Sequence, residues 1–130
     1  MRKELGPHYP ILYRLGVDDM LPGGLTLEDG VKAAEKIVEA GADAIDVSAG
    51  IRGHIHPTDK GPGFYVPLAS AVKKTVNVPV IGVGGVKTAA EVDLSIASGE
   101  VDLVAVGRAI LSDPFWAKNA VEELSNKGGG

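Results

Sequence analysis

Cysteine is absent from the 130 residues, which removes disulfides and thiolate metal sites at once. Such a chain suits a reducing, cytoplasmic setting. Aromatic residues are scarce: one Trp, three Tyr and two Phe amount to 5%, too few to build a platform for stacked bases. Basic charge is not in excess. Thirteen Lys and Arg stand against seventeen Asp and Glu, for a net charge of −4. No nucleic acid partner is expected, although a local anion site fits that balance. Long hydrophobic runs are missing too. Stretches such as Val78–Val83 fall far short of the roughly 20 apolar residues that span a bilayer, so no membrane partner is expected. Met1-Arg2-Lys3-Glu4 leads into no apolar segment of a signal peptide. Length sets the last limit, because an eight-unit β/α barrel takes about 250 residues.

What is present, 45% hydrophobic and 23% charged residues with 18 Gly and 8 Pro, fits one globular domain. That domain is expected over residues 1–126, with 127–130 as a flexible glycine tail. Short apolar runs at Ile11–Leu15, Ala44–Ala49, Val78–Val83 and Leu103–Val106 read as buried parallel strands. Between them lie helices with legible ends. Thr26-Leu27-Glu28-Asp29 and Thr88-Ala89-Ala90-Glu91 are capping boxes, Gly41 and Gly99 are stops, and Pro67 opens a helix reaching about Thr75. Leu27, Val31, Ala34 and Val38 share one helical stripe. Asp113-Pro114 opens a last helix, with Ala117, Val121 and Leu124 expected to face inward. Gly41-Ala42-Asp43-Ala44-Ile45 and Gly99-Glu100-Val101-Asp102-Leu103 echo each other as helix stop, acidic turn and strand start. Four β/α units in a row predict an α/β fold with a parallel sheet and right-handed crossovers. Half of a (β/α)8 barrel and a small open doubly wound sheet both satisfy that pattern. The connection from Gly50 to about Tyr65 is long and follows a strand's C-terminal end, where α/β proteins place function.

Two glycine turns carry the strongest chemical signal. Val80-Ile81-Gly82-Val83-Gly84-Gly85-Val86 runs from a strand toward the helix capped by Thr88, and Leu103-Val104-Ala105-Val106-Gly107-Arg108 ends the next strand. Glycine lets backbone approach a phosphate and leaves N–H groups to donate to it, and Arg108 adds a charge-assisted donor. The plain alternative is that the glycines only permit tight turns. Arg14 ends the first strand, and Asp46 and Ser48 share one face of the second. Arg14 either serves a ligand or pairs with Asp18 or Asp46. His54 and His56 form an H-x-H pair without a third ligand at diagnostic spacing, so no metal is assigned. Tyr65 is expected to pack the end of the long loop, and Phe115 and Trp116 to serve as core or interface anchors.

Gly23-Gly24-Leu25-Thr26, Ala44-Ile45-Asp46-Val47-Ser48-Ala49-Gly50, Pro79-Val80-Ile81-Gly82-Val83-Gly84-Gly85-Val86 and Leu103-Val104-Ala105-Val106-Gly107-Arg108, followed by Asp113-Pro114, together resemble the old yellow enzyme family. These are FMN-dependent NAD(P)H oxidoreductases built on a β/α barrel. The likeness covers nearly the whole chain in the order of the family's C-terminal half, which makes the strands barrel strands five to eight. It implies FMN as cofactor, with Gly84, Gly85, Gly107 and Arg108 lining its phosphate. It also implies a catalytic and cofactor-binding Arg14 beside the ring's N1 and C2 carbonyl, where a cation stabilises reduced flavin.

The family's substrate-binding His pair, its proton-donating Tyr and its first-strand flavin-tuning residue have no match here, and His54 and His56 do not take that role. The resemblance therefore describes a half that grips FMN, with hydride passing in the complete enzyme from NAD(P)H to an activated alkene or similar acceptor. A half barrel exposes two strand edges and an inner face, so a homodimer closing the sheet is expected. Two other readings stand beside this one. The first is a non-catalytic, self-associating half-barrel scaffold. The second is a sugar-phosphate isomerase or aldolase, for which no strand end offers a convincing Lys or Glu base.

Overall fold

Two reciprocal caps set the phase of the helices. Thr26 Oγ1 accepts from the Asp29 amide at 3.3 Å, while the Asp29 carboxylate accepts from the Thr26 amide at 3.2 Å. Thr88 and Glu91 repeat the arrangement at 3.3 and 3.0 Å. Each pair satisfies donors that a helix start leaves orphaned. The computed structural model describes residues 1–51, 61 and 63–127. In chain order its elements are α1 (Arg2–Leu5), β1 (Leu12–Gly16), α2 (Leu27–Glu39), β2 (Ala44–Ser48), α3 (Val66–Lys73), β3 (Val80–Val83), α4 (Ala89–Ala97), β4 (Leu103–Ala105), α5 (Arg108–Ser112) and α6 (Trp116–Lys127). Gly41 and Gly99 end α2 and α4 at φ 101° and 76°, the left-handed backbone that favours glycine.

The four strands pair in parallel in the order β1-β2-β3-β4. Consecutive parallel neighbours require crossover helices, and α2, α3 and α4 supply them over one face. Ile45, Val47 and Val80 on that face are fully buried with Val17, Ala69, Val72 and Val101. The opposite face is bare, with Leu12 63% and Leu103 52% exposed. A doubly wound sheet covers both faces with helices, and this one is covered on one side only. The architecture is an α/β half barrel, its bare face corresponding to a barrel interior.

Gly30 permits the closest helix–strand contact. A Cβ there would lie 2.1 Å from the Val17 carbonyl oxygen, so only glycine lets α2 settle against the chain leaving β1. The N-terminal segment forms α1, too short for any periodicity to show. Two expectations need correction. Arg108 opens α5 instead of merely ending a strand. On α6, Ala117 is exposed and Val121 is 65% exposed, while Trp116, Ala120 and Leu124 are the half-buried positions. The indole Nε1–H of Trp116 donates to the Lys87 carbonyl at 2.8 Å. That bond turns the helix, and the inward row follows Trp116 at intervals of four.

Candidate functional site

The C-terminal ends of the strands open into a cleft of about 720 Å³, within the usual range for small-molecule sites. Arg14 and Ser48 line it from β1 and β2, Gly84, Gly85 and Lys87 from the turn after β3, and Gly107 and Arg108 from the turn after β4. All five residues expected to bind a cofactor thus share one cavity. Arg14 and Arg108 belong to opposite edges of the four-stranded sheet.

Strand register explains Arg14. It stands directly beside Asp46 in the β1–β2 pairing, on the same face. Its Nη1 donates to Asp46 Oδ2 at 3.1 Å. Asp18 is engaged elsewhere, accepting from the Met20 amide at 2.8 Å. The Arg14 side chain remains 61% exposed against 19% for Asp46. An ion pair so open to water contributes at most about 1 kcal/mol, so its main effect is to orient the guanidinium. Asp46 Oδ1 is buried and meets no hydrogen-bond donor among the described residues. Ser48 shares the Asp46 face and reaches the cleft, its hydroxyl donating to the Leu15 carbonyl at 3.5 Å.

The two glycine turns differ in why they need glycine. Gly84 and Gly85 adopt φ 127° and 67°. A Cβ on Gly84 would lie 2.9 Å from the Tyr65 nitrogen, and one on Gly85 2.7 Å from Phe64 Cε1. Phe64 and Tyr65, with ring centroids 4.3 Å apart in an edge arrangement, therefore pack against this turn and also line the cleft. Burial raises the Tyr65 phenol above its ordinary pKa. Gly107 has φ −109°, and a Cβ there would meet nothing within 4 Å. With ψ −80° its backbone lies outside the regular α and β regions, but no described neighbour demands glycine there. Among the described residues the amides of Gly84, Gly85 and Gly107 donate to no backbone carbonyl, and the Arg108 guanidinium makes no ion pair.

Several contributors escaped the sequence reading. Lys87 lines the cleft, and its backbone is held at both ends: its amide donates to Glu91 Oε2 at 2.7 Å and its carbonyl accepts from Trp116. The Lys87 amide is the main reason the Glu91 carboxyl lies below its usual range. Asp19 joins two loops, Oδ2 accepting from Leu25 at 2.9 Å and Oδ1 from Ile51 at 3.1 Å, and these amides lower its pKa. His54 and His56 lie outside the described residues. Among the described residues no group of three or more His, Asp or Glu is placed to hold a metal, and no helix is long and apolar enough to cross a membrane.

The chain's motifs match a known family throughout: residues 1–127 align with the NADH:flavin oxidoreductase / NADH oxidase family. The chain belongs to that family. An NADH oxidase of Thermoanaerobacter brockii is 39% identical over 131 residues, covering 98% of this chain and 20% of that protein. An NADPH dehydrogenase of Geobacillus thermodenitrificans is 32% identical over 120 residues, covering 91% and 34%. One of Bacillus cytotoxicus is 33% identical over 117 residues, covering 88% and 33%. The chain thus spans between a fifth and about a third of the length of these relatives. Membership agrees with the old yellow enzyme resemblance read from the motifs.

Proposed function

We propose that the cleft is the FMN-gripping part of an NAD(P)H-dependent flavin oxidoreductase, formed by strands equivalent to five to eight of the complete barrel. The observation that supports this reading is the pair of glycine turns whose amides are uncommitted among the described residues, above all Gly107. A glycine that no described neighbour requires, beside an arginine with no ion pair among the described residues, suits close approach by an anionic ligand. In this reading the phosphate rests against Gly84, Gly85, Gly107 and Arg108. Arg14, aimed by Asp46, provides positive charge at the other edge of the sheet.

Bound there, the flavin supplies hydride exchange between a nicotinamide and an acceptor such as an activated alkene. The protein's part is to bind and orient. Arg14 would stabilise negative charge on the ring as a nearby cation does. Phe64 and Tyr65 would set ring surface along the cleft beside the Gly84-Gly85 turn, and the water they displace would strengthen those charge interactions.

Titration with FMN, followed by the visible spectrum, tests the reading. Saturable binding with a perturbed flavin band is expected. A protein that neither purifies with nor takes up flavin refutes it.

The bare sheet face with Leu12 and Leu103 exposed supports a second reading, closure by another copy of this chain. β1 and β4 are the two edges of the sheet, and a two-fold dimer would pair each with the other. Sedimentation at micromolar concentration should give a dimer, and a stable folded monomer would exclude it. A dimer with no flavin uptake and no turnover would favour the scaffold over the enzyme.

A further inference from the structure

We propose that Trp116 is a positioning residue for the anion end of the cleft. It would act by bracing the turn that carries Gly84 and Gly85 against the turn that carries Gly107 and Arg108. The proposal rests on the reading above for the identity of the ligand, but its geometry is independent of it.

The two turns follow different strands, and the peptide at Lys87 is where they are tied together. From one side Glu91 Oε2 accepts the Lys87 amide at 2.7 Å and the Thr88 amide at 3.0 Å, fixing the end of the Gly84–Lys87 turn to the start of α4. From the other side the Trp116 indole donates to the Lys87 carbonyl at 2.8 Å. Trp116 is itself tied to the chain leaving Arg108. Its amide donates to the Asp113 carbonyl at 3.0 Å, and the Asp113 amide donates to the Ala109 carbonyl at 2.9 Å. Asp113 Oδ1 accepts from the Phe115 amide at 2.9 Å, and Oδ2 from Asn119 Nδ2 at 3.1 Å. An unbroken series of hydrogen bonds therefore runs from α5, where Arg108 sits, to the last residue of the glycine turn.

A phosphate bridging the two turns needs their separation held constant. Without the brace, ordering them would be charged to binding. Linkage makes the effect mutual: if the indole bond favours anion binding, the bound anion favours the indole bond by the same factor. The single tryptophan of the chain makes both directions measurable.

Trp116→Phe removes the N–H and keeps a ring. Relative to wild type it should weaken FMN by roughly two- to tenfold, the range for one net neutral hydrogen bond, and leave riboflavin, which has no phosphate, unchanged. Unaltered FMN affinity overturns the proposal. So does an equal loss for riboflavin, which would mean general loosening. The second measurement uses the wild type and inorganic phosphate. Exchange of the one indole N–H, followed by NMR, should slow at saturating phosphate, and unchanged exchange also overturns the proposal. This arm decides the matter if Trp116→Phe does not fold. If wild type binds phosphate but no FMN, the flavin reading fails and the brace is judged on the phosphate result. If it binds neither, both fail.

Discussion

Asp43 and Asp102 occupy equivalent corners of the sheet and make the same bonds there. The Asp43 amide donates to the Ile11 carbonyl at 2.8 Å, while its carboxylate accepts from the Ile11 amide at 2.7 Å. The Asp102 amide donates to the Val80 carbonyl at 2.9 Å, and its carboxylate accepts from the Val80 amide at 2.9 Å. Each aspartate precedes a strand by one residue and grips the residue facing it across the sheet. Each also meets one cation, Arg2 for Asp43 and Lys73 at 2.6 Å for Asp102. Arg2 further donates to the Gly41 and Tyr9 carbonyls, which fastens α1 beneath the sheet.

These corners make stability sensitive to acid. Lys73, followed by the Val80 amide, holds the Asp102 carboxyl below its usual range. The unfolded chain therefore takes up that proton first. The contribution is complete above the unfolded carboxylate value, about 3.9, and is lost as pH falls through the lower folded one. Asp43 behaves likewise, through the Ile11 amide and then Arg2. Asp102→Asn should lower stability at pH 7 by about 1 kcal/mol, given its exposure. It should also flatten, without abolishing, the fall in Tm below about pH 5. Thermal melts from pH 3 to 7 check both effects.

Gly30→Ala reverses a familiar sign. Alanine in a helix interior ordinarily gains up to about 1 kcal/mol over glycine. Here its methyl would sit 2.1 Å from the Val17 carbonyl oxygen, and backbone cannot yield cheaply. A net loss of roughly 1–3 kcal/mol is expected from the forced displacement of α2. Denaturant unfolding should show a reduced midpoint.

Gly107 and Arg108 should separate binding from folding. Gly107→Ala places a methyl where the chain has open space, so any loss of stability comes from its backbone angles alone and should stay at about 1 kcal/mol. FMN affinity should nevertheless fall on the order of tenfold, about 1.4 kcal/mol. Arg108→Ala should cost binding about 1.5–3 kcal/mol, as expected for a hydrogen bond to a charged group. Calorimetric FMN titration beside a thermal melt distinguishes these outcomes from misfolding.

The corrected face of α6 can be checked directly. Val121 is exposed and Leu124 half-buried, so Val121→Ser should alter stability by less than about 0.5 kcal/mol. Leu124→Ala should cost more, on the order of 1 kcal/mol, although less than a core leucine. Leu124 belongs to both stripes, so the Tm of Val121→Ser decides between them.

The elements legible in the sequence were those with local signals. Thr26 and Thr88 announced helix starts, Gly41 and Gly99 helix ends, and the Asp43 and Asp102 echo was visible as a repeated string. Arg14 beside Asp46 was one of two named pairings, and only strand register, a property of the assembled sheet, selected it. Lys87, Asp19 and Trp116 were not legible as site residues because their bonds join loops far apart in sequence. The face of α6 was misread because Ala117, Val121 and Leu124 also form a plausible stripe, and one long-range indole bond determines which row turns inward.

The third corner of the sheet lacks an aspartate. By the same register Pro79 stands opposite Ala44, and it offers only its carbonyl, to the Ile45 amide at 3.0 Å. Proline has no N–H to return and no carboxylate to clasp with. The four strands are consequently two doubly latched couples, β1 with β2 and β3 with β4, joined at a singly latched seam. Each couple carries its own bracket wherever it goes. Separation of the sheet at that seam would release two-strand blocks while preserving the alignment of strands within each block.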